Sequence, residues 1–278
     1  MIILIRAGFL SHHVTIRVRR YKHTKRRDKM NPDRVIAVRN RKTVYRDADK
    51  CIKVFNFGYS KSDVFGEALN QVCAEEAGLK VPAIEKITTL DGKWAIVSEY
   101  IKGKTLKQLI LEKPEKRNEY LETLVSLQLE VHSKEISSLS GQKDILEKKL
   151  RRANISKKAE AVFLSRLSEM PNGNNLCHGD FSFSNIIAPS DGAPYILDWA
   201  HACRGDTAAD AAKTYILFLL GGNNAFAEKY LELFCEKSGK TQESIRQWIP
   251  LTAAAQSADG NEHERKILLS WLSETEKI

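Results

Sequence analysis

The sequence predicts an α+β chain of two unequal lobes, a small antiparallel sheet carrying one helix and a larger, mainly helical remainder. Three features carry that expectation. Between Val35 and Phe55, short runs of β-branched and aromatic residues alternate with polar turns, the pattern of an antiparallel meander. Beyond Tyr100, apolar residues recur at helical spacing with little interruption. Residues 98–102 between them follow neither pattern and read as a hinge.

Taken in order, strands are expected at 35–38, 43–45 and 51–55, with turns at 39–42 and 47–49. Val64, Phe65, Ala68, Leu69, Val72 and Cys73 then place an amphipathic helix over 62–77, ended by Gly78. Two more strands, 84–87 and 94–97, flank a turn at Leu90-Asp91-Gly92-Lys93. Helices are predicted over 105–111, 118–132, 144–168, 206–220, 225–237, 242–258 and 262–272. Residues 176–198 break the helical pattern, because short apolar runs there alternate with turn residues and polar groups. The resulting division is a basic extension over 1–29, an N-terminal lobe over 30–98, and a C-terminal lobe over 99–278. No internal repeat is visible.

Composition excludes several classes. A chain of 278 residues, 42% apolar and 28% charged, can bury a sizeable core. No run approaches the ~20 apolar residues that span a bilayer. Five scattered cysteines without a Cys-x-x-Cys argue against a disulfide scaffold and for a reducing compartment, the cytoplasm. The net charge of +9 is concentrated at one end: residues 1–29 hold nine Lys/Arg and one acid, leaving about +1 for the rest. The body therefore lacks the charge of a nucleic-acid binder. Met1–Leu10 is apolar, but its charges follow it and no small-residue cleavage site is evident, so it makes a poor signal peptide. An organelle address and a basic arm remain alternatives to a disordered or non-native leader, the reading preferred here, with Met30 as the start.

The chemistry concentrates in His178-Gly179-Asp180-Phe181-Ser182-Phe183-Ser184-Asn185, followed thirteen residues later by Asp198-Trp199. Asp180, Asn185 and Asp198 offer hard oxygen donors around two short strands. Such donors suit Mg²⁺, which takes one or two carboxylates plus substrate phosphates, and a carboxylate free of the metal could accept a hydroxyl proton. The plainer reading has His178 and Asp180 merely pinning a turn. Against it stands Lys53, a charge inside the apolar strand Ile52–Phe55, with Glu67 on the following helix as its natural partner. An inward Lys–Glu pair beside a phosphate site is how a kinase-type lobe grips ATP.

On these residues the chain resembles the aminoglycoside phosphotransferase and choline kinase branch of the protein-kinase-like superfamily, over about residues 34–278. The segments that carry the resemblance are His178–Asn185, Ile196-Leu197-Asp198-Trp199 and Gly205-Asp206-Thr207-Ala208-Ala209-Asp210. The resemblance implies a two-lobed kinase-like fold and an ATP- and Mg²⁺-dependent transfer of phosphate to a hydroxyl of a small molecule. It implies Asp180 as catalytic base, Asn185 and Asp198 as Mg²⁺ ligands, Lys53 on the α/β-phosphates, and Glu67 orienting Lys53. Ser98-Glu99-Tyr100 becomes the hinge, with backbone groups of Ser98 and Tyr100 facing adenine, and Asp210 braces the catalytic loop.

The chain departs from the protein kinases in ways that favour small acceptors. The first turn reads Arg39-Asn40-Arg41-Lys42 in place of a glycine-rich loop, so basic side chains stand where glycine backbone cradles phosphate. Gly179 and Ser182 occupy positions where Ser/Thr kinases carry Arg and Lys, and Trp199-Ala200 replaces Phe-Gly. Two Gly-Lys-Thr triplets, at Gly103 and Gly239, lack the upstream glycine of a Walker loop. His178, Asp180 and Ser182 lie too close together to form a hydrolase triad. His132 reads as a capping or packing histidine, and 147–152 as a solvated helix face. Residues 199–278, with nine Lys/Arg and eleven Asp/Glu, make the acceptor lobe mildly acidic. The sequence leaves the acceptor open among aminoglycoside-, choline- and sugar-like compounds, and it does not fix the oligomeric state. The rival reading is a nucleotide-binding scaffold that keeps the fold without turnover.

Overall fold

The computed structural model describes residues 34–39 and 42–275. The leader at 1–29, Met30, and Asn40 and Arg41 of the first turn lie outside the described residues. The described residues all fall in one compact unit.

The sheet forms as its alternation dictates. β1 (Arg34–Arg39), β2 (Lys42–Asp47) and β3 (Lys50–Phe55) run as an antiparallel meander. β5 (Lys93–Glu99) then pairs with β3, and β4 (Ile84–Leu90) closes the edge, giving the order β1-β2-β3-β5-β4. Asp91 and Gly92 join β4 to β5 with φ of 49° and 76°. Two positive φ values in a two-residue loop match the right-handed twist of the flanking strands. α1 (Lys61–Glu76) starts at a capping box in which Ser60 accepts from the Asp63 amide and Asp63 accepts from the Ser60 amide. Its Val64 and Ala68 pack with Phe55 and Ile96 in a small core of their own.

The remainder is helical, as predicted, with two corrections. The helix expected over 144–168 is two, α4 (Gln142–Arg152) and α5 (Lys157–Glu169). The break is local chemistry: Ser156 takes an extended conformation and its hydroxyl caps the Ala159 amide. The helix expected over 242–258 likewise divides into α8 (Gln242–Arg246) and α9 (Ile249–Gln256), with Pro250 in the first turn of the second, where its missing N–H costs nothing. α2 (Leu106–Glu112), α3 (Arg117–His132), α6 (Thr207–Leu220), α7 (Asn224–Ser238) and α10 (Glu262–Thr275) lie within a few residues of their predicted bounds. They enclose a core that includes the fully buried Leu121, Leu124, Tyr230, Phe234 and Trp248. Short strands interrupt the helices: β7 (Asn175–Cys177) pairs with β10 (Cys203–Gly205), while β6 (Lys104–Thr105), β8 (Ile186–Ala188) and β9 (Tyr195–Ile196) form a second small sheet. Among the described residues no helix is long and apolar enough to cross a membrane.

Candidate active site

Strand alternation decides where Lys53 goes. Ile52 and Val54 are buried on one face of β3, so Lys53 shares the opposite face with Phe55, the face α1 covers. Glu67 lies between Val64 and Ala68 on the inward side of α1 and is 6% exposed. A carboxylate that deep requires partners, and two ammonium groups supply them. Lys53 Nζ reaches Glu67 Oε1 at 2.7 Å, and Lys42 Nζ reaches Oε2 at 2.8 Å. Both cations also face Asp198 Oδ1, at 3.1 Å from Lys53 and 3.7 Å from Lys42.

Two lysines and two carboxylates thus form one charge-balanced cluster joining β2, β3, α1 and the Asp198 loop. Burial works against the Lys53 ammonium, but Asp198 and Glu67 outweigh it and hold its pKa above the usual lysine value. Burial would raise the Asp198 pKa; Lys53 and Lys42 hold it well below the carboxylate range. Both groups are ionised near neutral pH. Asp198 sits in the left-handed region at φ 61°, an uncommon conformation for a residue with a Cβ and one that gathers at functional sites. α1 is tied to this loop again through Asn70, whose Nδ2 donates to the carbonyl of Trp199 at 3.0 Å.

The loop from His178 to Asn185 is fixed from below. Asp210, in the first turn of α6, accepts from the Gly179 amide at 2.7 Å, the His178 amide at 3.3 Å and His132 Nε2 at 2.8 Å. Burial pushes its pKa up, and these hydrogen bonds with the two histidines bring it below its usual value. His132, read from sequence as a capping or packing residue, is a buried partner of that carboxylate and stacks edge-on against Phe234. His178 Nδ1 accepts from the Asp180 amide at 3.2 Å, so its proton sits on Nε2, which donates to the Leu197 carbonyl at 2.9 Å. One imidazole therefore links the Asp180 backbone to the residue before Asp198. Gly179 stands where only glycine fits: its φ is +77°, and a Cβ there would lie 2.4 Å from the His201 carbonyl oxygen.

Asn185 Nδ2 donates both to the Asp180 carbonyl at 2.9 Å and to Asp180 Oδ2 at 3.0 Å. The amide nitrogen is thereby spent, and Asn185 Oδ1 is the atom left to meet a ligand. Leu197 N donates to the Asn185 carbonyl at 2.8 Å, which sets Asn185 beside the Asp198 loop.

Two cavities open beside Asp180. One, of about 420 Å³, is lined by Lys53, Glu67, Asn185 and Asp198 and also by the hinge Ser98-Glu99-Tyr100. Val44, Ile96, Ile187 and Leu197 give it apolar walls. All the sequence-predicted residues except Asp180 thus line a single cavity. The hinge differs in one detail. Tyr100 N–H already donates to the Asp49 carbonyl at 2.8 Å, so the amide free to meet a base is that of Ile101, which lines the cavity and has no partner among the described residues. The other cavity, of about 500 Å³, lies between α1, α4, α6, α9 and residues 200–203. Gly179 lines this second cavity and Ser184 and Asn185 the first, so Asp180 falls in the loop between them.

Sequence reasoning missed three contributors. Lys42 was placed only as part of a basic turn; that it opens β2 and shares Glu67 with Lys53 follows from strand register. Lys149, assigned to a solvated face, is 19% exposed, bonds Asp259 at 2.8 Å and lines the second cavity. Lys213 carried no motif, because its setting is made by α9, forty residues later.

The fold has counterparts among solved structures. The structure superposes on a crystal structure of a thermostable mutant of aminoglycoside phosphotransferase APH(4)-Ia, with TM-score 0.62, 15% identity, and coverage of 86% of this chain and 90% of that one. A second structure of that enzyme, in ternary complex with AMP-PNP and hygromycin B, matches with TM-score 0.61 at 14% identity over 86% and 91% of the two chains. Choline kinase LicA from Streptococcus pneumoniae matches with TM-score 0.58 at 17% identity over 86% and 91%. At these identities the likeness is one of fold, the two-lobed kinase-like fold. No curated protein matches the sequence itself. Residues 39–248, most of the 278, match the profile described as the phosphotransferase enzyme family. The chain belongs to the phosphotransferase enzyme family.

Proposed function

We propose that the chain transfers the γ-phosphate of ATP to a hydroxyl of a small molecule, with Asp180 accepting the hydroxyl proton. Family membership establishes phosphotransfer; we infer the residue roles from the geometry. The observation that carries it is Lys53, held between Glu67 at 2.7 Å and Asp198 at 3.1 Å on the wall shared with Asn185. An incoming polyphosphate would take the Lys53 and Lys42 ammoniums as counter-ions, while Glu67 keeps both lysines oriented. Apolar Val44, Ile96 and Leu197 suit the base, with Ile101 N–H as donor.

The donor set fits Mg²⁺. Among the described residues no three His, Cys, Asp or Glu side chains group as a metal site, but Mg²⁺ needs only one or two protein oxygens beside phosphates and water. Asp198 is held anionic and Asn185 presents Oδ1, so these two would hold the ion. Bound there, Mg²⁺ would neutralise charge on the transferring phosphate. Asp180 is positioned by Asn185 Nδ2 on Oδ2 and by His178 on its backbone, leaving Oδ1 to meet the acceptor hydroxyl. The ternary complex of APH(4)-Ia with AMP-PNP and hygromycin B supports a triphosphate and a hydroxylated acceptor bound together in this fold.

Purified chain given Mg·ATP and a panel of hydroxylated compounds should release ADP in step with a new phosphate ester. ATP binding without ester in any class would leave a nucleotide-binding scaffold. So would ADP release unchanged in Asp180→Ala.

A further inference from the structure

The second cavity carries a charge pattern that composition did not predict. Residues 199–278 are net acidic, yet the carboxylates in this cavity's wall are already committed. Asp63 caps α1, Glu67 bonds Lys42 and Lys53, and Asp210 takes the loop amides and His132. Lys213 differs. It projects from α6 into the wall, and its Nζ donates to Gln256 Oε1 of α9. Among the described residues no carboxylate oxygen lies within 4.0 Å of it. The titratable groups that face it are Asp180, Lys149, Asp259, Glu264 and His201. Each acid of that set is engaged elsewhere: Asp180 with Asn185, Asp259 with Lys149 and Arg152, Glu264 with the Asn261 amide.

Two further groups lack partners. An ammonium has no acceptor atom, so Oε1 of Gln256 must face Lys213, and its Nε2 hydrogens remain for another acceptor. Thr252 Oγ1, on α9 in the same wall, is buried with no hydrogen-bond partner among the described residues.

We propose, resting on the phosphotransfer reading above, that this cavity is the acceptor site and selects a hydroxylated acceptor bearing a carboxylate, with Lys213 as counter-cation and the Gln256 amide as second donor. One ammonium and one amide suit the two oxygens of a monoanion. A phosphate dianion is better met by the bidentate fork of arginine, and no arginine lines the cavity. A polycation would meet Lys149 and Lys213 with no uncommitted carboxylate to receive it.

The test compares kcat/KM, with Mg·ATP as donor, for glycerate and gluconate, for glycerol 3-phosphate, for glycerol and glucose, and for hygromycin B and choline. The hydroxy acids should lead. Lys213→Gln should raise their KM about tenfold or more while changing kcat little, and Lys213→Arg should recover most of the loss, which separates a lost charge from a misfolded chain. Highest kcat/KM with glycerol 3-phosphate, a neutral polyol or a cation would overturn the assignment while leaving phosphotransfer intact. A fall in kcat with acceptor KM unmoved in Lys213→Gln would also overturn it, because Lys213 would then serve the transferring phosphate. ATP binding with no ester from any class would instead remove the phosphotransfer reading, and this inference with it.

Discussion

The two cavities beside Asp180 treat charge in opposite ways. In the wall of the first cavity Lys42 and Lys53 share Glu67 and Asp198, a neutral cluster of which Lys42 and Glu67 also line the second cavity. On the other side Lys213 has only an amide, and a buried hydroxyl stands unpaired. On the proposed reading, the first cavity exchanges partners when a polyphosphate enters and the second gains one. The catalytic loop joins them, pinned by Asp210 from beneath and by His178 towards Asp198.

Changes to that loop should have the largest effects. Asp180→Asn keeps the side-chain volume and removes the proposed proton acceptor, so turnover should fall about 10²–10⁴-fold. ATP affinity, measured by equilibrium binding, should change far less. Next comes Asp210→Asn, which removes the charge that accepts from the Gly179 and His178 amides and from His132. Thermal or urea unfolding should show a loss of about 1–3 kcal/mol. The sign of its pH dependence follows from the lowered Asp210 pKa. Stability from this carboxylate is fully present above its usual value of 3.8 and is lost as pH falls through the folded value. The wild type should therefore lose more stability than the variant on acidification. Gly179→Ala, with strain at φ +77° and a Cβ pressed on the His201 carbonyl, should cost at least about 1 kcal/mol and lower kcat by displacing Asp180.

The smallest effect sharpens the contrast between cavities. Burial lowers the Lys213 pKa to about 8, with Asp180, Lys149, Asp259 and Glu264 around it. Its ammonium is present below that value and lost above it. The KM of a carboxylate-bearing acceptor should rise as pH passes about 8, and Lys213→Arg should abolish that rise.

How legible each side was in the sequence follows from how its residues are assembled. Asp180, Asn185 and Asp198 stand close in the chain, and their spacing carries the chemistry. Lys53 and Glu67 were legible because a charge in an apolar strand needs a partner and the next helix offers one. The sheet was legible through alternation and its Asp91-Gly92 turn. The second cavity was not. Lys149, Lys213 and Gln256 lie on α4, α6 and α9, each with ordinary helical neighbours, and only packing brings them to one wall. Net composition gave no sign of Lys213 there because it counts acids that the fold has already paired. The two merged helices failed for a simpler reason, since Ser156 and Pro250 are breaks that apolar periodicity runs through.

If Asp180 serves both cavities, as proposed, Lys53 and Lys213 hold different ligands. Both KM values, for Mg·ATP and for a hydroxy acid, should be measured in Lys53→Ala and Lys213→Gln. A crossed pattern is expected, with Lys53→Ala raising chiefly the KM for ATP and Lys213→Gln chiefly that for the acceptor. Both substitutions moving the KM of the same substrate would contradict it.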